Sequence, residues 1–249
     1  MNLLEPIKNN IPNAITCLNL LSGCLACICA SHGSEHIGGD PVAITYYQLA
    51  FIMIAAAAVF DFFDGFVARL LGAVSSIGKE LDSLSDCVSF GLAPALILYF
   101  MLRELYPSSW VAYSALLVAV FGAVRLARFN TDDSQATSFV GLPIPANAIF
   151  WIGFCDYFYA IEPAGEAGLW VAFAAVVLLS YAMVSRLRMF SLKFKSYGLR
   201  GNVHRYLLVA GTVAAIVLLG VKGLAVSIIF YFVLALLFLR QEKDAVSHR

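Results

Sequence analysis

Hydrophobic positions dominate the chain in long runs, and short segments between these runs carry most of the charged residues. A membrane-spanning helix needs about 20 mostly apolar residues. Runs of about that length lie at residues 11–31, 45–67, 84–102, 110–128, 145–161, 168–187, 203–221 and 223–240. The pattern predicts an all-α, polytopic transmembrane helix bundle with about eight spans, built as a single integral membrane domain over residues 1–249. Seven spans are the alternative, because Asp156 interrupts the fifth run and only Gly220–Gly223 separates the last two.

The composition supports the membrane class and excludes others. Of the 249 residues, 61% are hydrophobic and 13% are charged, whereas soluble domains average about 25% charged residues. Sixteen basic residues balance sixteen acidic ones, so the charge does not favour a nucleic-acid partner, and none is expected. The six cysteines fall almost entirely inside apolar runs, which argues against a disulfide framework.

The basic residues predict an orientation, because short cytoplasmic loops collect Lys and Arg. With an inside N-terminus and eight spans, fourteen of the sixteen basic residues fall inside, and only Arg103 and Lys222 fall outside. We therefore expect both termini, and the loops around 68–83, 125–145 and 186–205, to lie in the cytoplasm. A bacterial cytoplasmic (inner) membrane is the expected location.

The first run contains Leu21–Cys24, which matches a lipoprotein cleavage box. A removable leader would have a basic start and an uninterrupted apolar stretch. Here Lys8 is the one basic residue before the box, and Pro12 and several polar residues interrupt the run. We therefore expect a membrane span at this position.

Four aspartates stand near the facing ends of the second and third runs. Asp61 and Asp64 are spaced i,i+3, and Asp82 and Asp86 are spaced i,i+4, so each pair shares one helical face. Because the connecting loop is short, the two helices are expected to be antiparallel neighbours whose acidic faces meet. Four like charges at membrane depth need compensation. Mg²⁺ or Mn²⁺ would supply it, since these ions bind carboxylate oxygens and leave positions for phosphate.

Small residues and one arginine accompany the acids. Gly65, Ala68 and Gly78 leave room for a flat ligand or a phosphate against the backbone. Arg69, about one turn beyond Asp64, offers a fork of donors to phosphate. These residues predict a metal-bridged diphosphate between the helices, with one aspartate free to accept a proton from a nucleophile.

The spacing D-x2-D-G-x2-A-R-x8-G-x3-D-x3-D runs without a gap from Asp61 to Asp86 and resembles the motif of the CDP-alcohol phosphotransferase family. The segments 11–20, 90–95, 125–130 and 139–146 are similar to those of the family's membrane-type phosphatidylserine synthases. The resemblance covers about residues 11–150, which we expect to form the catalytic core around motif 61–86. Residues 168–249 would then be additional transmembrane helices. Similar proteins have a six-helix core and pair as homodimers, so a homodimer is expected here.

The resemblance implies a role for each matching residue. Two divalent ions, Mg²⁺ or Mn²⁺, would be held by Asp61, Asp64 and Asp82 and would clamp the diphosphate of CDP-diacylglycerol. Asp86 would contribute to the metal site and act as the general base for the serine hydroxyl, while Arg69 would face the charge on the departing CMP. The predicted catalytic residues are thus Asp86, Asp82 and Arg69, and the predicted metal ligands are Asp61, Asp64, Asp82 and Asp86.

Two further sets of residues are candidates for substrate contacts. Asn13, Thr16 and Asn19 share one stripe of the first span, where the two interpretations are hydrogen bonding between helices and a place in the nucleotide site. Asn13 and Thr16 are expected to line that site together with Gly65, Ala68 and Gly78. Serine or phosphate would be bound by the two arginines and the asparagine that end the fourth span, namely Arg125, Arg128 and Asn130.

The expected function is phosphatidyl transfer from CDP-diacylglycerol to L-serine at the surface of the membrane lipids, giving phosphatidylserine and CMP. One alternative keeps the chemistry and changes the acceptor to glycerol 3-phosphate or inositol phosphate. A remote alternative is a cation transporter, since intramembrane acids also mark ion paths. That function predicts acids at mid-membrane in several helices and internal repeats, and the motif is not repeated elsewhere in the chain.

Overall fold

A computed structural model describes residues 4–73, 75–131, 139–161, 165–190, 198 and 202–247. Its α-helices are α1 (Leu4–His32), α2 (Tyr46–Leu71), α3 (Ser76–Asp86), α4 (Ala93–Leu105), α5 (Leu116–Thr131), α6 (Ile144–Ala160), α7 (Gly165–Val184), α8 (Val203–Leu219) and α9 (Gly223–Ser247). Two short strands, β1 (Phe139–Val140) and β2 (Arg188–Met189), pair antiparallel. The expected all-α membrane helix bundle is confirmed. Half of the predicted cytoplasmic segment 186–205 lies outside the described residues.

Among the described residues, six helical segments are long and apolar enough to cross a membrane. The last of them, Val203–Phe238, contains α8 and the larger part of α9. These two helices pack against each other on either side of a turn at Gly220, where φ is +62°, a conformation that glycine adopts without strain. Helix α6 has 17 residues and is shorter than the six segments. The predicted count of about eight spans is therefore approximate.

The third span is longer than its hydrophobic run predicts, because it extends from Ser76 to Leu105. Within it, α3 continues into a π-helical turn over Cys87–Leu92 and then into α4. The Ala93 amide donates to the carbonyl of Val88, five residues back. Single π-helical turns inside α-helices are frequent at functional sites. Here the turn begins directly after the last aspartate of the motif.

Helix α1 packs along α2 and also contacts α3 and the π-helical turn. A Cβ atom on Gly23 would lie 2.3 Å from Ser89 Oγ, so only glycine allows this close approach. Two hydroxyls of the third span donate to carbonyls of α1. Ser85 Oγ bonds the Thr16 oxygen at 3.3 Å, and Ser89 Oγ bonds the Asn19 oxygen at 3.0 Å. These contacts fix the register of α1 against the acidic part of the third span.

The acidic faces of α2 and α3 meet as expected, but without close packing of the two helices against each other. The two helices make few contacts with each other, whereas each packs on α1. Their acidic faces therefore meet across a gap that α1 closes from one side. The buried core includes residues of α1, α2 and the third span, and Phe90, Leu98 and Trp151 in it are almost completely enclosed.

Candidate active site

Three aspartates from two helices converge in the gap between α2 and α3. One carboxylate oxygen each from Asp61, Asp64 and Asp82 lies within 4.8 Å of the other two. Asp64 is only 5% exposed. Two buried oxygens of this group, Asp64 Oδ2 and Asp82 Oδ1, have no hydrogen-bond partner among the described residues. The sequence prediction that the two acidic pairs come together therefore holds geometrically for these three.

The donors of this acidic group fit a hard divalent cation. Converging carboxylates repel each other unless a positive charge lies between them. Arg69 acts electrostatically on Asp64, but one guanidinium does not balance three carboxylates. The unpaired oxygens are the ligands that Mg²⁺ and Mn²⁺ prefer. An acidic cluster able to hold a metal is thus present, whereas the identity and number of the ions stay predictions.

Asp86 adjoins this group of three, since it interacts electrostatically with Asp61 and Asp82 and is hydrogen-bonded to the Asp61 side chain. Its Oδ1 accepts a 3.3 Å hydrogen bond from the side-chain amide of Asn19 on α1. From α5, the buried Arg125 acts on the same carboxylate electrostatically. Asp86 therefore has a hydrogen-bond donor and a cation near it in addition to the other three acids. This arrangement suits both of its predicted roles, as a base and as a metal ligand, and both stay predictions.

A cavity of about 210 Å³ opens beside the clustered carboxylates. Its walls come from α1, α2 and α3 and the loop between the last two. All five residues predicted to line the nucleotide site border this cavity, together with Arg69 and two of the aspartates; the lining is Pro12, Asn13, Thr16, Asp64, Gly65, Ala68, Arg69, Ala73, Ser75, Gly78, Lys79 and Asp82. The structure thus brings the predicted nucleotide residues together, and their function stays a prediction.

Gly78 limits the cavity on the side of α3. A Cβ atom there would lie 3.0 Å from both Asn13 Oδ1 and Ser75 Oγ. Ser75 is the N-cap of α3, and its hydroxyl accepts a 3.0 Å hydrogen bond from the Gly78 amide. The first turn of α3 is therefore held close to α1, and any side chain at position 78 would project into the remaining space.

The three residues predicted to bind serine or phosphate have different surroundings. Arg125 is 8% exposed, and its guanidinium lies 5.0 Å from the centre of the Phe129 ring. Arg128 Nη1 donates a 2.9 Å hydrogen bond to the Val184 carbonyl at the end of α7. Asn130 donates a 2.8 Å hydrogen bond to Ser83. Arg125 is thus the one of the three that faces a site aspartate, while the other two link helices.

Four residues lining the cavity were not among the predicted site residues: Pro12, Ala73, Ser75 and Lys79. Ser75 could have been found from the sequence, since a serine three positions before Gly78 and directly before a helix is typical of an N-cap. Lys79 is exposed. Its position in the sequence does not distinguish it from an ordinary charged residue at the membrane interface.

The fold and the site define an integral membrane protein that presents a carboxylate cluster beside a small cavity lined by glycine and alanine. The chain belongs to the CDP-alcohol phosphatidyltransferase family, whose sequence model matches residues 9–183. The match extends from α1 to the end of α7. The expected division into a core over 11–150 and additional helices over 168–249 stays a prediction.

Relatives in three organisms carry one name, CDP-diacylglycerol–serine O-phosphatidyltransferase. The Methanocaldococcus jannaschii protein is 39% identical over 146 residues, which are 59% of this chain and 60% of the relative. A Helicobacter pylori protein is 41% identical over 147 residues, 57% of this chain and 60% of the relative. The Bacillus subtilis protein is 33% identical over 181 residues, 72% of this chain and 89% of the relative. The chain thus spans about 60% of the length of the first two relatives.

Proposed function

We propose that the protein transfers the phosphatidyl group of CDP-diacylglycerol to the hydroxyl of L-serine, which yields phosphatidylserine and CMP. The observation that carries the proposal is the convergence of Asp61, Asp64 and Asp82 within 4.8 Å beside the cavity of small residues. The choice of serine as acceptor is supported by the name that the similar proteins share. Glycerol 3-phosphate and inositol phosphate are not favoured by any of these relatives.

The groups of residues that form the site would have separate roles in this reaction. The three clustered aspartates would hold divalent metal, Mg²⁺ or Mn²⁺, which when bound neutralises the diphosphate and lowers the barrier to displacement at phosphorus. Gly65, Ala68 and Gly78, with Asn13 and Thr16, would accommodate the cytidine end of the donor lipid. Arg69 lines the same cavity, where its guanidinium would face the charge that develops on CMP.

Asp86 and Arg125 would act on the acceptor. The carboxylate of Asp86 would take the proton from the serine hydroxyl as the hydroxyl oxygen bonds to the phosphorus that carries diacylglycerol. The bond from that phosphorus to the CMP oxygen breaks, and CMP departs with its electron pair. Arg125 supplies a buried cation next to Asp86, where it would pair with the serine carboxylate.

The setting of the reaction is also proposed. The lipid donor and the water-soluble acceptor must meet at headgroup level, which suits aspartates near the ends of two membrane helices. The basic-residue asymmetry supports a cytoplasmic site and cytoplasmic termini in a bacterial inner membrane. A homodimer is part of the proposal, based on the family resemblance.

The experiment uses the purified full chain in detergent with CDP-diacylglycerol and Mn²⁺ or Mg²⁺. Release of CMP and formation of lipid product are measured with serine, glycerol 3-phosphate and inositol phosphate as separate acceptors. We expect phosphatidylserine with serine, no product after chelation with EDTA, and recovery when the metal is restored. Product with glycerol 3-phosphate and none with serine would overturn the assignment of the acceptor.

A further inference from the structure

Asn19 is a fully buried amide inside an apolar membrane helix, with 0% of its surface exposed. Its Nδ2 donates a 3.3 Å hydrogen bond to Asp86 Oδ1. Its Oδ1 is buried and has no hydrogen-bond partner among the described residues. An amide that leaves a buried acceptor unpaired costs folding free energy. Stability alone therefore does not explain why an asparagine stands at this position.

The backbone around Asn19 is held at a fixed distance from the third span. The Asn19 carbonyl accepts a 3.0 Å hydrogen bond from Ser89 Oγ. One turn further, Gly23 lies so close to Ser89 that a Cβ atom would clash. On the opposite side, Asp86 is followed at once by the π-helical turn Cys87–Leu92. The donor and the acceptor of the Asn19–Asp86 hydrogen bond are thus both attached to rigidly packed backbone.

The hydrogen bond fixes the direction of the Asp86 carboxylate. With Oδ1 bound by the Asn19 amide, rotation of the carboxylate is restricted. A general base must lie within hydrogen-bond reach of the proton that it removes. A displacement of about 1 Å at a reacting group can reduce the rate about 100-fold. The direction of this carboxylate is thus a property on which turnover depends.

We propose that Asn19 is a positioning residue that orients the Asp86 carboxylate for proton removal from the acceptor alcohol. The inference rests on the proposed function. Asn19 acts through Asp86, and it does not line the cavity assigned to the nucleotide of the donor lipid. Loss of its amide should therefore reduce turnover and leave substrate affinity unchanged.

The test compares Asn19→Leu, which keeps the approximate volume and removes the amide, with Asn19→Ser, which is smaller and remains polar. For each variant, kcat, the KM values for CDP-diacylglycerol and the acceptor, the Mn²⁺ concentration for half-maximal rate, and the unfolding temperature in detergent are measured. The control is Ser22→Ala, because Ser22 is also buried in α1 but donates only to the Leu18 carbonyl of its own helix, at 2.8 Å.

We expect both Asn19 variants to lose about 100-fold in kcat, with KM values and Mn²⁺ dependence within threefold of wild type and Ser22→Ala unchanged in kcat. A folded variant with kcat within threefold of wild type overturns the inference, as does a rise in the donor KM with kcat preserved. If Asn19→Leu does not fold, Asn19→Ser decides. If the wild-type protein releases CMP with another alcohol and not with serine, only the assignment of serine as the acceptor is wrong. The kcat values of the variants are then compared with that alcohol as the acceptor.

Discussion

The side-chain amide of Asn130, on α5, donates a 2.8 Å hydrogen bond to the hydroxyl oxygen of Ser83, on α3. Ser83 directly follows Asp82, and its own hydroxyl donates to the Lys79 carbonyl at 3.2 Å. Helix α5 is thus tied to the helix that carries one of the three clustered carboxylates. Through this bond Asn130 has a structural role in the site. That role differs from the direct contact with serine that the sequence predicts.

Asn130→Leu and Ser83→Ala should each lower the free energy of unfolding by about 1 kcal/mol, the usual net contribution of one hydrogen bond. Because both substitutions remove the same bond, the free energy of unfolding of the double variant should equal that of the less stable single variant. Chemical unfolding in detergent measures all three. Additive losses would contradict the link, and a serine KM raised by Asn130→Leu but not by Ser83→Ala would return Asn130 to the acceptor site.

Neutralising the clustered carboxylates one at a time should abolish most of the activity. We expect Asp61→Asn, Asp64→Asn and Asp82→Asn each to reduce kcat about 1000-fold or more, equivalent to about 4 kcal/mol of transition-state stabilisation. The measurement is metal-dependent release of CMP by purified protein. Glu80→Gln is the matched control, because Glu80 is an exposed carboxylate on the same helix as Asp82 and does not line the cavity. Full turnover in any of the three aspartate variants would refute the proposed metal site.

Gly78→Ala should weaken binding of the donor lipid more than it slows the chemical step. The added methyl group would press on Asn13 Oδ1 and Ser75 Oγ, each 3.0 Å from the new carbon, and would narrow the cavity. We expect the KM for CDP-diacylglycerol to rise about tenfold, equivalent to about 1.4 kcal/mol. Ser76→Ala, at an exposed neighbouring position outside the cavity lining, is the control. An unchanged donor KM in Gly78→Ala would place the nucleotide elsewhere.

Hydropathy and motif spacing predict much of this fold and site for physical reasons. A membrane helix must satisfy its backbone hydrogen bonds within itself, so each span can be identified in the sequence as a continuous apolar run. The i,i+3 and i,i+4 spacings likewise place the aspartates on helical faces without any knowledge of the tertiary structure. The break at Gly220 between the last two helices was also visible as a gap between two runs.

Other features depend on contacts between residues far apart in the chain. The bond from Arg128 to the Val184 carbonyl joins positions 56 residues apart, and no local pattern distinguishes that arginine from an ordinary cytoplasmic anchor. The π-helical turn Cys87–Leu92 is another example, because it occurs where α1 packs against the third span through Gly23 and Ser89. The gap between α2 and α3 follows from their separate packing on α1, whereas the short loop alone favours direct contact.

Arg125→Lys should specifically weaken binding of the acceptor. The Arg125 guanidinium is buried, lies over the Phe129 ring and acts electrostatically on Asp86. Lysine keeps the positive charge but loses the planar pair of donors that matches a carboxylate. We expect the serine KM to rise about tenfold, or about 1.4 kcal/mol, with the KM for CDP-diacylglycerol within twofold of wild type. Steady-state kinetics at saturating donor measures this change, and Arg103→Lys, an exposed arginine at the opposite end of the third span, is the control. An unchanged serine KM would remove Arg125 from the acceptor site and leave its charge to act on Asp86 alone.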